Sequence, residues 1–239
     1  MGIISRFPAG ATKPYIEEIY NSDGQLISAN MHGYDVIRDY AFYNCLSLAL
    51  ISLPNGITNI GNSAFVNCTS LALTTLPSGI TNIGNSAFGN CSSLALTSLP
   101  SGITNIGDYA FSDCTSLALT TLPSEITSIN EGAFAGCSSL ALTSLPSGIT
   151  SIGNYAFSGC TSLALTTLPS GITNIGNSAF YGCSNLVSLT FEGTPEIIEN
   201  YAFGDCNNLT TINVPWAEGA VANAPWGAIN ATINYGHTG

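Results

Sequence analysis

One motif returns eight times without an insertion or deletion: Ala-Phe, then a Cys three residues after the Phe. The cysteines are Cys45, Cys68, Cys91, Cys114, Cys137, Cys160, Cys183 and Cys206, and each lies 23 residues after the last. Phe42, Phe65, Phe88, Phe111, Phe134, Phe157, Phe180 and Phe203 keep the same step. A fixed period of this size is the mark of a solenoid, in which each unit buries its apolar face only against its neighbours. The expectation is therefore one elongated domain with atypical ends rather than a compact globule.

Among 239 residues only 7% are charged, against about a quarter in ordinary soluble proteins, so Ser, Thr and Asn must supply the polar surface. The formal charge is −11, and Arg6, Lys13 and Arg38 are the only basic side chains. Nucleic-acid binding needs cations to neutralise phosphates, and that class is excluded. A polybasic contact with a membrane surface fails for the same reason. No apolar run reaches the roughly 18 residues of a bilayer span. The segment Met1–Pro8 lacks the charged-then-apolar layout of a secretory signal, so the expectation is a chain not exported that way or already trimmed.

Eight cysteines would suggest four disulfides in a small secreted chain. The strict period argues otherwise. Equivalent side chains in successive coils stack in parallel at about 4.8 Å, whereas a disulfide needs its Cβ atoms facing each other at about 3.5 to 4.5 Å. The cysteines read as buried free thiols acting as small hydrophobes. Zinc is disfavoured because His32 and His237 stand at opposite ends of the sequence, and tetrahedral ligation needs convergent ligands.

Residues 1–33 match no repeat. Tyr15–Tyr20, the turn Asn21–Gly24 and Gln25–Ser28 read as a hairpin. It is either a cover for the open end of the core or a docking arm, with Arg6, Lys13, Tyr15 and Tyr20 as candidate docking residues. Residues 34–215 hold eight units. In a full unit Leu71–Pro77 reads as a short strand that Pro77 ends, and Ile80 to Ile83 as a second extended piece. Asn85 would then cap one helical turn. Leu71, Leu76, Ile80, Ile83, Ala87, Phe88 and Cys91 would be buried.

The pattern Leu-x-x-x-x-Leu-Pro-x-x-Ile-x-x-Ile-Gly-x-x-Ala-Phe-x-x-Cys resembles the BspA-like leucine-rich repeats of bacterial and some protist surface proteins. The resemblance implies an α/β solenoid: a right-handed coil with one parallel sheet, short helical turns opposite it, an N-terminal hairpin cap and a C-terminal cap. It also implies adhesion or binding rather than catalysis. The strand departs from the family pattern. Two units, beginning at Leu186 and Leu209, keep the usual form, whereas those beginning at Leu71, Leu94, Leu117, Leu140 and Leu163 read Leu-Ala-Leu-Thr. Side chains alternate along a strand, so the first, third and sixth places cannot all face inward without a bulge or kink, expected near the Thr. Strands of this form look similar to proteins of gut bacteria and their phages.

From Thr69 to Ser184 the residue after the Cys alternates Thr and Ser, as does the fifth strand place from Thr75 to Thr167, which fits growth by copying a 46-residue double unit. Differences between copies gather beside the turn, at Ser63, Ser86, Tyr109, Gly132, Tyr155, Ser178 and Tyr201. Residues 216–239 leave the pattern and read as a plug with a final strand over about residues 231 to 235. The candidate partner-binding residues are Tyr109, Tyr155, Tyr181, Tyr201, Trp216 and Trp226, with the two Trp either capping the core or forming a sugar platform.

No catalytic motif occurs, the acids Asp108, Asp113, Glu125 and Glu131 are scattered, and no cofactor is implied. The reading is a non-catalytic solenoid exposed on a surface, binding protein or glycan without inserting into a membrane. A phage virion component, packed within an assembly, leads, and a secreted or surface adhesin of a bacterium is the alternative. Ice binding by the threonine ladders is a remote third, weakened because Thr74 and Thr75 should face opposite sides of a strand.

Overall fold

A computed structural model describes residues 15–237. Fourteen short strands occur among them. They are β1 (Tyr15–Tyr20), β2 (Leu26–His32), β3 (Val36–Ile37), β4 (Asn59–Ile60), β5 (Asn82–Ile83), β6 (Asn105–Ile106) and β7 (Ser128–Ile129). Then follow β8 (Ser151–Ile152), β9 (Thr167–Leu168), β10 (Asn174–Ile175), β11 (Ser188–Phe191), β12 (Ile197–Ile198), β13 (Thr211–Asn213) and β14 (Thr232–Asn234). No helix is present among the described residues.

The expected single sheet is three four-stranded parallel sheets, ordered β3-β4-β5-β6, β7-β8-β10-β12 and β9-β11-β13-β14. The first two run along one wall of the solenoid and are made by the second Ile of each unit. Their residues pair one coil step apart, as Asn59 with Asn82 and Ile60 with Ile83. The third lies on the Leu-rich wall, where the Leu71–Pro77 pattern predicts a strand in every unit, and forms only towards the C-terminal end, whereas the second extended piece expected from Ile80 to Ile83 is the one that pairs along most of the array.

Both corrections have local causes. In the units with Leu-Ala-Leu-Thr, Leu71 and Leu73 are buried and so is Leu76, which a straight strand cannot achieve. The chain bends at Thr74, Thr97, Thr120 and Thr143, and a single amide links this part of each coil to the one before, as when Ala95 N donates to Leu73 O at 3.1 Å. Units with the usual form alternate cleanly and pair as strands, and the last Leu-Ala-Leu-Thr unit, which does not bend at Thr166, joins them through β9. In β11, Leu189 and Phe191 face inward and Ser188 outward.

The break between β6 and β7 traces to one residue. Most coils have Gly after the second Ile, and a Cβ there would stand 2.4 Å from Asn85 Oδ1 at Gly107 or 2.7 Å from Glu131 N at Gly153. Those glycine amides donate to the previous coil, Gly107 N to Ile83 O at 2.9 Å and Gly153 N to Ile129 O at 2.7 Å. The fifth coil has Asn130 instead, and its side-chain Nδ2 takes the Ile106 carbonyl at 2.7 Å. Glu199 also replaces that Gly, yet its side chain is exposed and its amide still reaches Ile175 O at 2.9 Å. The inward amide of Asn130, rather than a Cβ alone, parts the sheets.

The expected helical turns are tandem turns. Two places in each coil hold left-handed backbone, one running Tyr40, Ser63, Ser86, Tyr109, Gly132, Tyr155, Ser178, Tyr201 and the other Asn44, Asn67, Asn90, Asp113, Gly136, Gly159, Gly182, Asp205. A helix needs consecutive right-handed residues, so these reversals prevent one. They aim alternate amides along the axis instead: Ser63, Phe65 and Asn67 N each donate at 2.8 Å to the next coil, on Asn85, Ala87 and Gly89 O. The Asn expected to cap its own helix acts between coils as well, with Asn62 Oδ1 accepting from Asn85 N at 2.8 Å.

Inside, eight phenylalanine rings form one stack from Phe42 to Phe203, with centroids 5.2 to 5.6 Å apart. Beside it runs the thiol column. All eight cysteines are unpaired, and seven are buried. They are more than small hydrophobes, because from Cys68 onward each Sγ donates to the Phe carbonyl of the preceding coil, as Cys68 to Phe42 O at 3.0 Å. That carbonyl also accepts its own coil's Cys45 N at 3.2 Å, so one acceptor ties two coils together. Burial pushes the thiols upward in pKa, Cys68 and Cys206 to about 12.

At the N-terminal end β1 and β2 pair antiparallel. Ala29 and Met31 are buried, and Ile27 O accepts from Ala49 N at 3.0 Å, the role a preceding coil plays elsewhere. At the other end β14 pairs in parallel with β13, Ile233 beside Ile212. Phe191 meets Phe203 and Trp216 edge-on, and Trp226 lies 6.4 Å from Phe191.

Candidate binding surface

The tandem turns carry the exposed aromatic side chains of the array. Tyr40, Tyr109, Tyr155 and Tyr201 share one of the left-handed columns, and Tyr43 and Tyr181 share the column three residues later. All six are exposed, from 37% at Tyr109 to 63% at Tyr201. Tyr in left-handed backbone is strained, of order 1 to 3 kcal/mol, where Gly or Asn would be easier. Gly132 shows that this column accepts Gly, so the tyrosines are kept at a cost in stability.

Two of these rings rest on the following coil in a shared way. The Tyr109 ring fills the space over Gly132, where a Cβ would come within 2.3 Å of it, and its hydroxyl donates to Glu131 Oε1 at 2.6 Å. Tyr181 lies over Gly204 and donates to Asp205. The hydrogen bond to Glu131, with some burial, pushes the Tyr109 phenol up to about 12. Tyr181 is shifted in the same direction by Asp205. These phenols stay protonated donors and the rings stay edge-fixed, so the face offers preset aromatic surface rather than a titrating group.

Between Tyr43 and Tyr109 the second and third coils carry only small residues in the two columns, and a shallow trough of ≈ 350 Å³ opens there. Ser63, Val66, Ser86, Gly89, Asn90 and Ser112 line it together with the two rings. Asn90 Nδ2 donates to Asn67 Oδ1 at 2.9 Å, part of an amide ladder beside the trough. No Lys or Arg lines it.

Of the residues singled out from sequence, Tyr109, Tyr155, Tyr181 and Tyr201 are thus on one face, and only Tyr109 borders the trough. Trp216 and Trp226 are corrected: at 6% and 1% exposure they have no ring face to offer a sugar. Trp226 Nε1 donates to Ala222 O at 2.7 Å, while Trp216 Nε1 is buried without a partner. Both pack where the phenylalanine stack would otherwise end in solvent. Arg6 and Lys13 lie outside the described residues. Tyr15 opens β1 opposite His32, and half-buried Tyr20 donates to Glu18 Oε2 at 2.5 Å. Tyr40 and Tyr43, 5.9 Å apart edge-on, were missed because the first unit is the most divergent, although the 23-residue step places them in the same columns.

The threonine ladders also differ from expectation. Thr74 and Thr75 are both exposed, because the bend lies between the buried Leu73 and Leu76. The Thr81 column instead donates backward, Thr81 Oγ1 to Thr58 O at 3.4 Å. Among the described residues no three His, Cys, Asp or Glu side chains converge as metal ligands do.

Comparison with known proteins fits this geometry. A family profile described as a BspA type leucine rich repeat region matches residues 35–147 and 132–221, in six copies. A leucine rich cell surface protein from Faecalibacterium prausnitzii is 26% identical, with a TM-score of 0.62 over 87% of this chain and 71% of that one. A leucine-rich repeat protein of T. pallidum is 29% identical, with a TM-score of 0.57 over 76% of this chain and 91% of that one. No curated protein sequence matches significantly.

Proposed function

Because the chain belongs to the BspA-type leucine-rich repeat family, we propose that it is a non-catalytic surface protein whose turn face binds another surface. The observation that carries this reading is the row of six exposed tyrosines, four of them held in strained left-handed backbone, on an otherwise repetitive wall. Strain persists where the surroundings over-determine it, and it clusters at working sites. A relative described as a cell surface protein supports an extracellular setting. The β1–β2 hairpin and the tryptophan-bearing last coil serve as closures for the two ends of the core, leaving the turn face as the interaction surface.

Binding of the intact chain to immobilised host matrix proteins and to glycans tests it. Saturable binding that weakens when the tyrosines are replaced is expected, and binding indifferent to all of them refutes the turn face. A phage virion component is the second reading. No Lys or Arg follows Arg38, so the coils give trypsin nothing to cut, which suits an intestinal exterior. Recovery of the protein in purified particles, with no binding to host surfaces, would favour it.

A further inference from the structure

We infer that the trough between Tyr43 and Tyr109 binds a neutral oligosaccharide, an assignment that rests on the surface-binding reading above. The two rings stand three coils apart in the sequence repeat, roughly 14 Å at about 4.8 Å per coil. That spacing accommodates a short chain of sugars rather than a single ring. Sugars present an apolar C–H face and a hydroxyl rim. Aromatic rings take the first, and small polar side chains take the second. The trough has both: Tyr43 and Tyr109 in the first and fourth coils it spans, and Ser63, Ser86, Asn90 and Ser112 in its lining.

The alternatives fit less well. An extended peptide adds to an exposed backbone edge, but the amides of Ser63, Phe65, Ser86 and Phe88 are already spent on the next coil at 2.8 Å each. Tight protein partners insert an aromatic or Arg anchor into a deep desolvated pocket, and this trough is shallow. Anionic polymers, including sialylated or sulfated glycans, meet no cation in the lining. They would also approach a chain of net charge −11 with Glu131 beside Tyr109, which repels them.

The repeats supply substitutions that keep the fold. Ser63 and Ser86 hold Tyr109's place in other coils at φ 52° and 53°, and Ser112 holds the place of Tyr43. Tyr109→Ser and Tyr43→Ser therefore remove a ring without new strain, and Ser86→Tyr, in a column that already holds Tyr40 ahead of Ser63, puts a ring into the trough. Tyr201→Ser alters the same column four coils further on. The intact chain and these variants are titrated on immobilised neutral, sialylated and sulfated oligosaccharides and on fibrous matrix proteins, with thermal unfolding as the fold control.

Binding to neutral oligosaccharides is expected, weakened about five- to tenfold by each of Tyr43→Ser, Tyr109→Ser and Ser86→Tyr, with Tyr201→Ser unchanged. Equal affinity in all variants, or a preference for the anionic glycans, overturns the assignment. Saturable binding to matrix protein without any glycan binding overturns it too, while leaving the surface-binding reading in place. Binding to neither class takes down both.

Discussion

Removing one ring from the middle of the phenylalanine stack should cut the solenoid's cooperativity. Phe134 is fully buried and lies 5.6 Å from both Phe111 and Phe157. Phe134→Ala deletes a buried ring whose place the coils cannot close, a change that typically costs about 3 to 5 kcal/mol. At the end of the stack Phe42 has one stacked neighbour, Phe65, at 5.2 Å. Its replacement should cost less, by about 0.5 to 1.5 kcal/mol for the missing pair alone. The position matters as much as the size, because each coil is stabilised only by its neighbours. Phe134 also adjoins the seam at Asn130, where two sheets already part. Urea unfolding followed by far-ultraviolet circular dichroism reports all coils, while tryptophan fluorescence reports only the C-terminal end, where Trp216 and Trp226 are found. In the parent the two transitions should nearly coincide. In Phe134→Ala the circular dichroism should fall first, with fluorescence lagging behind. Coincident transitions and a loss below about 1 kcal/mol would refute the account of a continuous load-sharing stack.

Asn130→Gly should rejoin the first two sheets, slowing amide exchange of residue 130 as its backbone N–H takes the Ile106 carbonyl; unchanged exchange would mean the seam has another cause. Titration of denatured, unreduced protein should find eight free thiols, and in the native protein the half-buried Cys45 should react first. The buried thiols have pKa values raised above the ordinary 9.0. They hold their protons in the folded chain at pH values where the unfolded chain has lost them, so their contribution is complete below pH 9 and is lost as pH rises from 9 towards about 12. Each thiol that ionises only on unfolding steepens that loss by about 1.4 kcal/mol per pH unit. A stability flat from pH 8 to 11 would contradict this.

The 23-residue step made the solenoid, the stacked Phe, the free thiols and the buried Leu71, Ile83 and Ala87 legible, because a strict period leaves each side chain only one kind of neighbour, its own copy in the next coil; the hairpin, outside the repeat, was legible from its Asp23-Gly24 turn. It also marked the variable column that holds Tyr109 and Tyr201. What the period could not convey is how one coil is hydrogen-bonded to the next, since the same spacing serves a helix that bonds within itself and a turn that bonds along the axis. Left-handed backbone at Tyr109 and Asp113 decided for the turn. The division of the sheets was equally hidden, resting on whether a single side-chain amide at Asn130 points inward. The two tryptophans, conspicuous in the chain, are core, because the stack needs an end. The trough exists only because Tyr43 and Tyr109, 66 residues apart, are three turns of the same coil, with nothing larger than Val66 on either column between them.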